Sequence, residues 1–273
     1  TDLGEDLVAE VGSRLQENTH ADGPVRRTLV ATDDGVVLDD VQIGETHWPE
    51  VTDRGALPDL AAWIATEDRA IPFTLVVTDR TGADIQAYRG LATDAAETET
   101  VTGETFYITK VAEGDWAQSQ FQQTAENTWE QNARLVADEV RSVAKRHGTR
   151  MVFVAGEVRA RAEVIRALES HDAASVGEIV DVESGGRAEG ASDEAMWAEV
   201  RERLVAAERA ADAEVAGQLD EARGRGEGAA TGMEEVLDAL RKAQVDRLVL
   251  DLQALRERTV RPADLDGVPL PEP

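Results

Sequence analysis

The sequence predicts an α/β protein, and three observations support this fold class. Short β-rich runs alternate with turn residues in the first part of the chain. Longer segments carry apolar residues at three- and four-residue spacing, which is typical of amphipathic helices. A fully apolar run at 151–155 indicates a strand buried on both faces of a sheet. The 273 residues are enough for about two domains of ordinary size.

Residues 1–68 are predicted to form a partial N-terminal α+β domain. Apolar residues at helical spacing near the start of the chain predict a short helix. Two β-rich runs at 28–32 and 36–41 flank an Asp-Gly pair, which favours a tight hairpin turn. One helix and one hairpin bury little apolar surface, so this part is interpreted as incomplete.

Residues 70–185 carry predicted elements in the order β-β-β-α-β-α-β. This is the order of an RNase H-like α/β layer. Phe121, Trp129, Val136 and Val140 lie on one stripe of the long helix and are expected to pack on the sheet. The strands are predicted at 73–78, 84–88, 105–111, 151–155 and 176–182, and the helices at 120–146 and 158–170.

Residues 192–273 are predicted to form a third α/β unit, which follows a glycine-rich linker. Apolar residues at helical spacing predict a long helix at 196–222 and a shorter one at 232–243. A strand is expected at 245–250. The Pro-rich end of the chain carries few apolar residues, so this unit is also interpreted as incomplete.

Composition excludes several classes of protein. The chain has no cysteine, which excludes disulfides, cysteine-ligated metals and thiol catalysis. Its formal net charge of −27 argues against simple DNA binding, because DNA phosphates would repel it. No apolar run is long enough for a membrane helix, and the opening residues do not read as a signal peptide. A cytoplasmic protein without membrane association is expected.

A basic segment at 141–166 contrasts with the acidic remainder of the chain. It holds seven Lys or Arg residues against Glu157 and Glu163, a local net charge of about +5. We expect this segment to contact RNA, although scattered solvated arginines are an equally simple interpretation. The RNA-binding candidates within it are Lys145, Arg146, Arg150, Arg159 and Arg161.

The residues just before the long helix form a second candidate site. A loop is predicted at 112–119, where Trp116 is able to stack on a base and Gln118 to hydrogen-bond RNA, beside Ser119. In the alternative interpretation, Trp116 packs back onto the start of the helix.

A metal-dependent nuclease is an alternative that an RNase H-like layer raises. Two-metal chemistry needs converging carboxylates, and the candidates are Asp79, Glu126 or Glu130, and Glu157. One residue in five is acidic, so carboxylates near these places are expected by chance. We expect them to be separated and solvated. The four histidines share no metal-ligand spacing, and neither a metal nor a cofactor is predicted.

Three motifs, in this order, resemble the eukaryotic-type peptide-chain release factor and Pelota superfamily. They are GDWAQSQFQQTAENTWEQNARLVADEV, MVFVAGEVRAR and GMEEVLDALRKAQVDRLVLD, and the hairpin segment 78–84 adds to them. The resemblance covers about 70–251 and is greatest to the bacterial, actinobacterial-type branch similar to the ribosome hibernation factor Balon. It implies an RNase H-like second domain at 70–185 and an L7Ae-like third domain at 192–273.

The resemblance also implies ribosome binding in the A-site region, next to ribosomal RNA, with a translational GTPase such as elongation factor Tu as a partner. Release factors of this superfamily carry a Gly-Gly-Gln loop, whereas residues 116–119 read Trp-Ala-Gln-Ser. Both glycines are missing, so non-catalytic A-site occupancy in ribosome hibernation or protection is favoured. The alternatives are peptidyl-tRNA hydrolysis through Gln118, the nuclease, and an unrelated protein-interaction module.

Overall fold

A computed structural model describes most of the chain. The described residues are 4–19, 24–43, 50–55, 58–91, 94–103, 115–170, 175–185 and 193–255, of which 115–126 and 252–253 are described by their backbone alone. The chain divides into two compact units, one of residues 1–58 and 65–208 and the other of residues 59–64 and 209–273. The three domain boundaries expected from the sequence stay a prediction. None of the helices within the described ranges combines the length and apolar character needed to cross a membrane.

The first elements are a helix and a hairpin, as predicted. Helix α1 spans Glu5–Gln16, and strands β1 (Val25–Thr32) and β2 (Gly35–Ile43) pair antiparallel. Arg27 on β1 donates to Asp39 on β2 at 2.7 Å, and this hydrogen bond lowers the pKa of the Asp39 carboxyl. Helix α2, Ala61–Arg69, was not predicted from the sequence.

The central element is a five-stranded mixed sheet. Its strands are β3 (Phe73–Asp79), β4 (Gly82–Tyr88), β5 (Glu97–Thr102), β6 (Met151–Gly156) and β7 (Glu178–Asp181), in the spatial order β5-β4-β3-β6-β7. Pairs β3/β4 and β4/β5 are antiparallel, while β3/β6 and β6/β7 are parallel. Helix α3 (Asp115–His147) leads into β6, and helix α4 (Val158–Ser170) joins β6 to β7. The predicted β-β-β-α-β-α-β order and the α/β fold class are confirmed.

The third strand of this sheet is Glu97–Thr102, earlier in the chain than expected. The strand predicted at 105–111 lies outside the described residues. Glu97–Thr102 is a polar edge strand with mostly exposed side chains, so no apolar alternation marks it in the sequence.

Both faces of the sheet are covered, which explains why β3 and β6 are almost wholly buried. On one face, Val76 and Val152 pack against Val136 and Val140 of α3 and Leu168 of α4. The other face is covered by the first turns of α5, the helix Asp193–Arg225. That second core contains Phe73, Leu75, Phe153, Met196, Val200 and Leu204. The predicted burial of Val136 and Val140 is therefore confirmed.

The regular elements of the described chain from residue 193 onward are all helices. It contains α5, α6 (Met233–Arg241) and the short α7 (Leu252–Leu255). The strand predicted at 245–250 is wrong, because these residues have no strand pairing. Leu248, Val249 and Leu250 are each about half exposed rather than buried in a sheet. The L7Ae-like assignment of this region stays a prediction.

Candidate functional site

The carboxyl ends of β3 and β6 meet at one edge of the sheet, which we call the carboxyl edge. Ligands of open α/β sheets commonly bind outside such strand ends. A cleft opens here between α3 and α4. Its lining includes backbone and side chains of Thr78, Asp79, Arg80, Gly82, Trp129, Asn132, Ala133, Val136, Arg159, Ala160, Glu163 and Val164.

The β3–β4 turn that forms one wall of the cleft is built by Asp79. One oxygen of its carboxylate accepts from the Thr81 backbone N–H at 2.7 Å, the Thr81 hydroxyl at 2.6 Å and the Gly82 N–H at 3.0 Å. A carboxylate that accepts two backbone N–H groups and a hydroxyl stabilises a turn. Asp79 therefore has a structural role in this turn.

Gly156 permits the close approach of the two strand ends. Its φ is +117°, and a Cβ at this position would lie 2.0 Å from the carbonyl oxygen of Thr78. The Glu157 N–H donates to that same oxygen at 2.9 Å. Glycine at position 156 therefore allows the chain to turn from β6 into α4 while the Glu157 N–H keeps its hydrogen bond to Thr78.

Arg80 is held at the carboxyl edge by Glu157. Its Nε lies 2.7 and 2.8 Å from the two carboxylate oxygens, and its Nη2 lies 2.6 Å from Oε1. The hydrogen bond to Glu157 raises the pKa of the Arg80 guanidinium. Such a forked contact fixes the plane of the guanidinium group more firmly than a single ion pair would.

Trp129 on α3 lies beside two guanidinium groups. The Cζ atom of Arg80 is 5.2 Å from the centroid of its ring, and that of Arg159 is 5.0 Å away. Both distances are within the range of cation–π attraction. We call Arg80, Trp129 and Arg159 the Arg-Trp cluster. The expectation that Trp129 packs on the sheet is corrected: it is half-buried against two arginines, and the side chain of Phe121 is not among those described.

The basic segment 141–166 does not form one continuous patch. Lys145 and Arg150 are exposed near the start of β6, whereas Arg159 follows the end of β6. Six residues of strand separate these ends by about 20 Å. The basic candidates are therefore distributed between opposite edges of the sheet.

The candidate Arg146 and its neighbour His147 share one carboxylate partner. Arg146 donates to Glu97 at 2.6 Å, and His147 also contacts Glu97. Hydrogen bonds from Arg146 and His147 lower the pKa of Glu97 to about 2. Arg146 and His147 thus tie the end of α3 to the edge strand β5.

Arg161 is buried, unlike the other RNA-binding candidates. It is 7% exposed, forms an ion pair with Asp181 at the end of β7, and donates to the carbonyl oxygen of Gly156 at 3.4 Å. The expectation that Arg161 contacts RNA is corrected, because its guanidinium is enclosed between α4 and β7.

The predicted loop at 112–119 is also corrected in part. Helix α3 begins at Asp115, so Trp116, Gln118 and Ser119 have helical backbone. No glycine or proline follows Gly114 in this stretch, and alanine and glutamine favour helix. The positions of these three side chains lie outside the described part of the protein.

The nuclease candidates have other partners where they are described. Glu157 binds Arg80, and Glu130 binds Arg134 at 2.7 Å. The side chain of Glu126 is not described. Among the residues whose side chains are described, no three His, Asp or Glu side chains are grouped closely enough to hold a metal ion.

The Arg-Trp cluster was missed from the sequence, although one signal pointed to it. Arg80 and Arg159 each follow a predicted strand, and adjacent parallel strands bring their carboxyl ends together. What the sequence did not indicate is that Trp129, near the first described side chains of α3, reaches this edge.

Comparison with known proteins gives one family match and two relatives. The model of bacterial archaeo-eukaryotic release factor family 2 matches residues 72–225, over half of the chain. The uncharacterized proteins Rv2629 of Mycobacterium tuberculosis strain H37Rv and MT2704 of strain CDC 1551 are each 28% identical over 251 residues. The match includes 91% of this chain and 65% of each relative, so the chain spans less than two thirds of their length.

Proposed function

The chain belongs to bacterial archaeo-eukaryotic release factor family 2, and from this membership we propose that it is a ribosome-associated translation factor. The observation that carries the proposal is the family match over 72–225, which includes the entire five-stranded sheet with α3 and α4. We further propose that it acts in the cytoplasm, without catalysis, by occupying the A-site region of idle ribosomes.

Non-catalytic occupancy is supported by the residues at 116–119. The Gly-Gly-Gln loop of release factors needs a backbone that glycine adopts readily. Here Trp116 and Ala117 stand in the place of those glycines, and the backbone is helical. A helical Gln118 has a different backbone conformation from that of a glutamine that follows two glycines in a loop.

A net charge of −27 has to be reconciled with binding to a particle rich in RNA phosphates. Salt screens distant charges over about 8 Å at physiological ionic strength, so the residues at the contact decide the local attraction. Lys145 and Arg150 are both exposed near the start of β6. We propose that this edge, which we call the amino edge, contacts the phosphate backbone of ribosomal RNA, while acidic faces point away or meet proteins.

Co-sedimentation with vacant ribosomes tests this proposal. The full chain is expected to pellet with ribosomes, and the double variant Lys145→Glu, Arg150→Glu is expected to bind more weakly with a smaller salt slope. The double variant Arg134→Glu, Arg223→Glu is the matched control. It reverses the same number of exposed charges on α3 and α5. Absence of ribosome binding by the wild type, in any salt from 50 to about 200 mM, would refute the proposed function.

A peptide-release assay separates occupancy from hydrolysis. Ribosomes carrying peptidyl-tRNA are expected to keep their peptide when the wild type is added, and Gln118→Ala is expected to bind like the wild type. Release by the wild type that Gln118→Ala abolishes would replace non-catalytic occupancy by a peptidyl-tRNA hydrolase. Addition of elongation factor Tu to the sedimentation assay tests the proposed GTPase partner, since a joint complex should pellet both proteins.

A further inference from the structure

We propose that the Arg-Trp cluster is a stacking site for an unpaired base of RNA. The proposal rests on the ribosome-associated function and names a second contact, on the opposite edge of the sheet from Lys145 and Arg150. It assigns to Arg80, Trp129 and Arg159 the role of a flat surface on which a base lies. Bases of unpaired RNA stack in this way on aromatic rings and guanidinium planes.

The cluster has the rigidity that a stacking surface needs. Glu157 contacts Arg80 through both carboxylate oxygens, which fixes the guanidinium plane along one edge. An arginine held by its edge does not use its flat faces for that ion pair, so the face of Arg80 that does not lie over the Trp129 ring stays available for stacking. The side chain of Arg80 is 57% exposed, so this held group is accessible from solvent.

The cleft beside the cluster is apolar but too small for an aromatic ring, with room for about one water molecule, so a base would lie across its mouth. Ala133, Val136, Ala160 and Val164 line it from α3 and α4. Apolar walls do not satisfy the hydrogen bonds of a phosphate, but they favour the faces of a base, which are themselves poorly hydrated. The half-buried ring of Trp129 continues this apolar surface to the rim of the cleft.

Local charge favours a base over a phosphate. The positive charges of Arg80 and Arg159 are offset by the carboxylates of Asp79 and Glu157, and the remaining carboxylate, that of Glu163, forms an ion pair with Arg166. A site with this balance does not concentrate phosphates, because the nearby anions cancel the attraction. Base stacking depends little on counterion release, whereas phosphate binding depends on it strongly. An acidic protein that binds phosphates weakly is therefore still able to bind a base by stacking.

Fluorine NMR of the full chain labelled with 5-fluorotryptophan tests the proposal directly. The probe is oligoadenylate RNA, and an abasic oligomer of equal length presents the same phosphates without bases. The signal of Trp129, assigned by its loss in Trp129→Phe, is expected to shift with oligoadenylate and not with the abasic oligomer. The signal of Trp197, which packs against Phe73 and Tyr88, serves as an internal reference.

Variants give the expected magnitude by fluorescence anisotropy of labelled oligoadenylate. Trp129→Leu and Arg159→Ala are each expected to weaken binding at least about fivefold, the lower limit for loss of one stacked base. Trp129→Phe keeps a flat ring and is expected to lose less than Trp129→Leu. Arg134→Ala removes an exposed arginine from the same helix as Trp129 and is the matched control, expected to bind like the wild type.

Three outcomes overturn the proposal. An equal shift with the abasic oligomer would make the cluster a phosphate site. An unmoved Trp129 signal at saturating oligoadenylate would mean that no base reaches it. Photocrosslinking from position 160 on the ribosome that yields only ribosomal protein would make the cleft a protein contact. If the wild type still pellets with ribosomes in any of these cases, the proposed function stands and the stacking site alone fails.

Discussion

Replacement of Gly156 by alanine perturbs the point where β3 and β6 end together. A side chain at φ +117° costs about 1–3 kcal/mol in backbone strain. The new Cβ would also lie 2.0 Å from the carbonyl oxygen of Thr78 and 2.8 Å from its nitrogen. These are backbone atoms, so the strands must separate, and loss of the Glu157 to Thr78 hydrogen bond adds about 1 kcal/mol. The expected destabilisation is about 2–4 kcal/mol.

Thermal denaturation followed by circular dichroism measures this effect. A loss of 2–4 kcal/mol corresponds to a lower Tm by about 4–16 °C for a unit of this size. Gly148→Ala is the control, since φ is +62° there and nothing lies within 4 Å of the added Cβ. Its cost should be limited to about 1–2 kcal/mol of left-handed backbone strain. A Tm for Gly156→Ala equal to that of Gly148→Ala would refute the close-approach explanation.

Substitutions at three further positions test other features of the fold. Hydrogen bonds from Arg146 and His147 hold the pKa of Glu97 at about 2, below its ordinary 4.5. The ionised carboxylate therefore stabilises the fold above about pH 4.5, and this contribution is lost as the pH falls towards 2. The urea midpoint of Glu97→Gln should be lower than that of the wild type at pH 7, and the two midpoints should converge near pH 2. Asp79→Ala removes the acceptor of three hydrogen bonds and should cost about 1–3 kcal/mol in thermal denaturation, whereas Asp79→Asn, which keeps an acceptor oxygen, should cost less; equal losses would contradict the turn role. Gly217 lies within α5 with open space around it, so Gly217→Ala should stabilise the helix by about 0.5–1 kcal/mol, and a decrease in helix signal at elevated temperature would show otherwise.

The sequence was sufficient for the parts of the fold whose burial is strong. The apolar run at 151–155 indicated β6 because that strand is covered on both faces. Helix α3 was indicated by a stripe that includes Val136 and Val140, both fully buried. The polar strand β5 was missed because backbone hydrogen bonds to β4 hold it in the sheet, and the pattern of side chains in the sequence does not reveal such pairing. Residues 245–250 have the apolar content of a strand, but within the described structure they pair with no other strand.

The candidate site was less predictable, because it depends on contacts between distant residues. Lys145, Arg150 and Arg159 are close in sequence and look like one basic segment. In the structure β6 separates them, with Lys145 and Arg150 near its start and Arg159 beyond its end. Burial of Arg161 follows from the position of Asp181 on a neighbouring strand. The Arg-Trp cluster joins a turn, a helix and a helix start, and no local pattern contains all three.

The parallel pairing of β3 with β6 has a consequence for the protein during its own synthesis. The buried hydroxyls of Thr74 and Thr149, which hydrogen-bond at 2.8 Å where the two strands begin, are 75 positions apart in the chain. At roughly 5–20 residues per second, the nascent chain waits about 4–15 s between the two. During that interval β3 exposes Leu75 and Val76, which later become fully buried. The β3–β4 hairpin therefore has to keep these apolar side chains from other contacts until β6 has been synthesised.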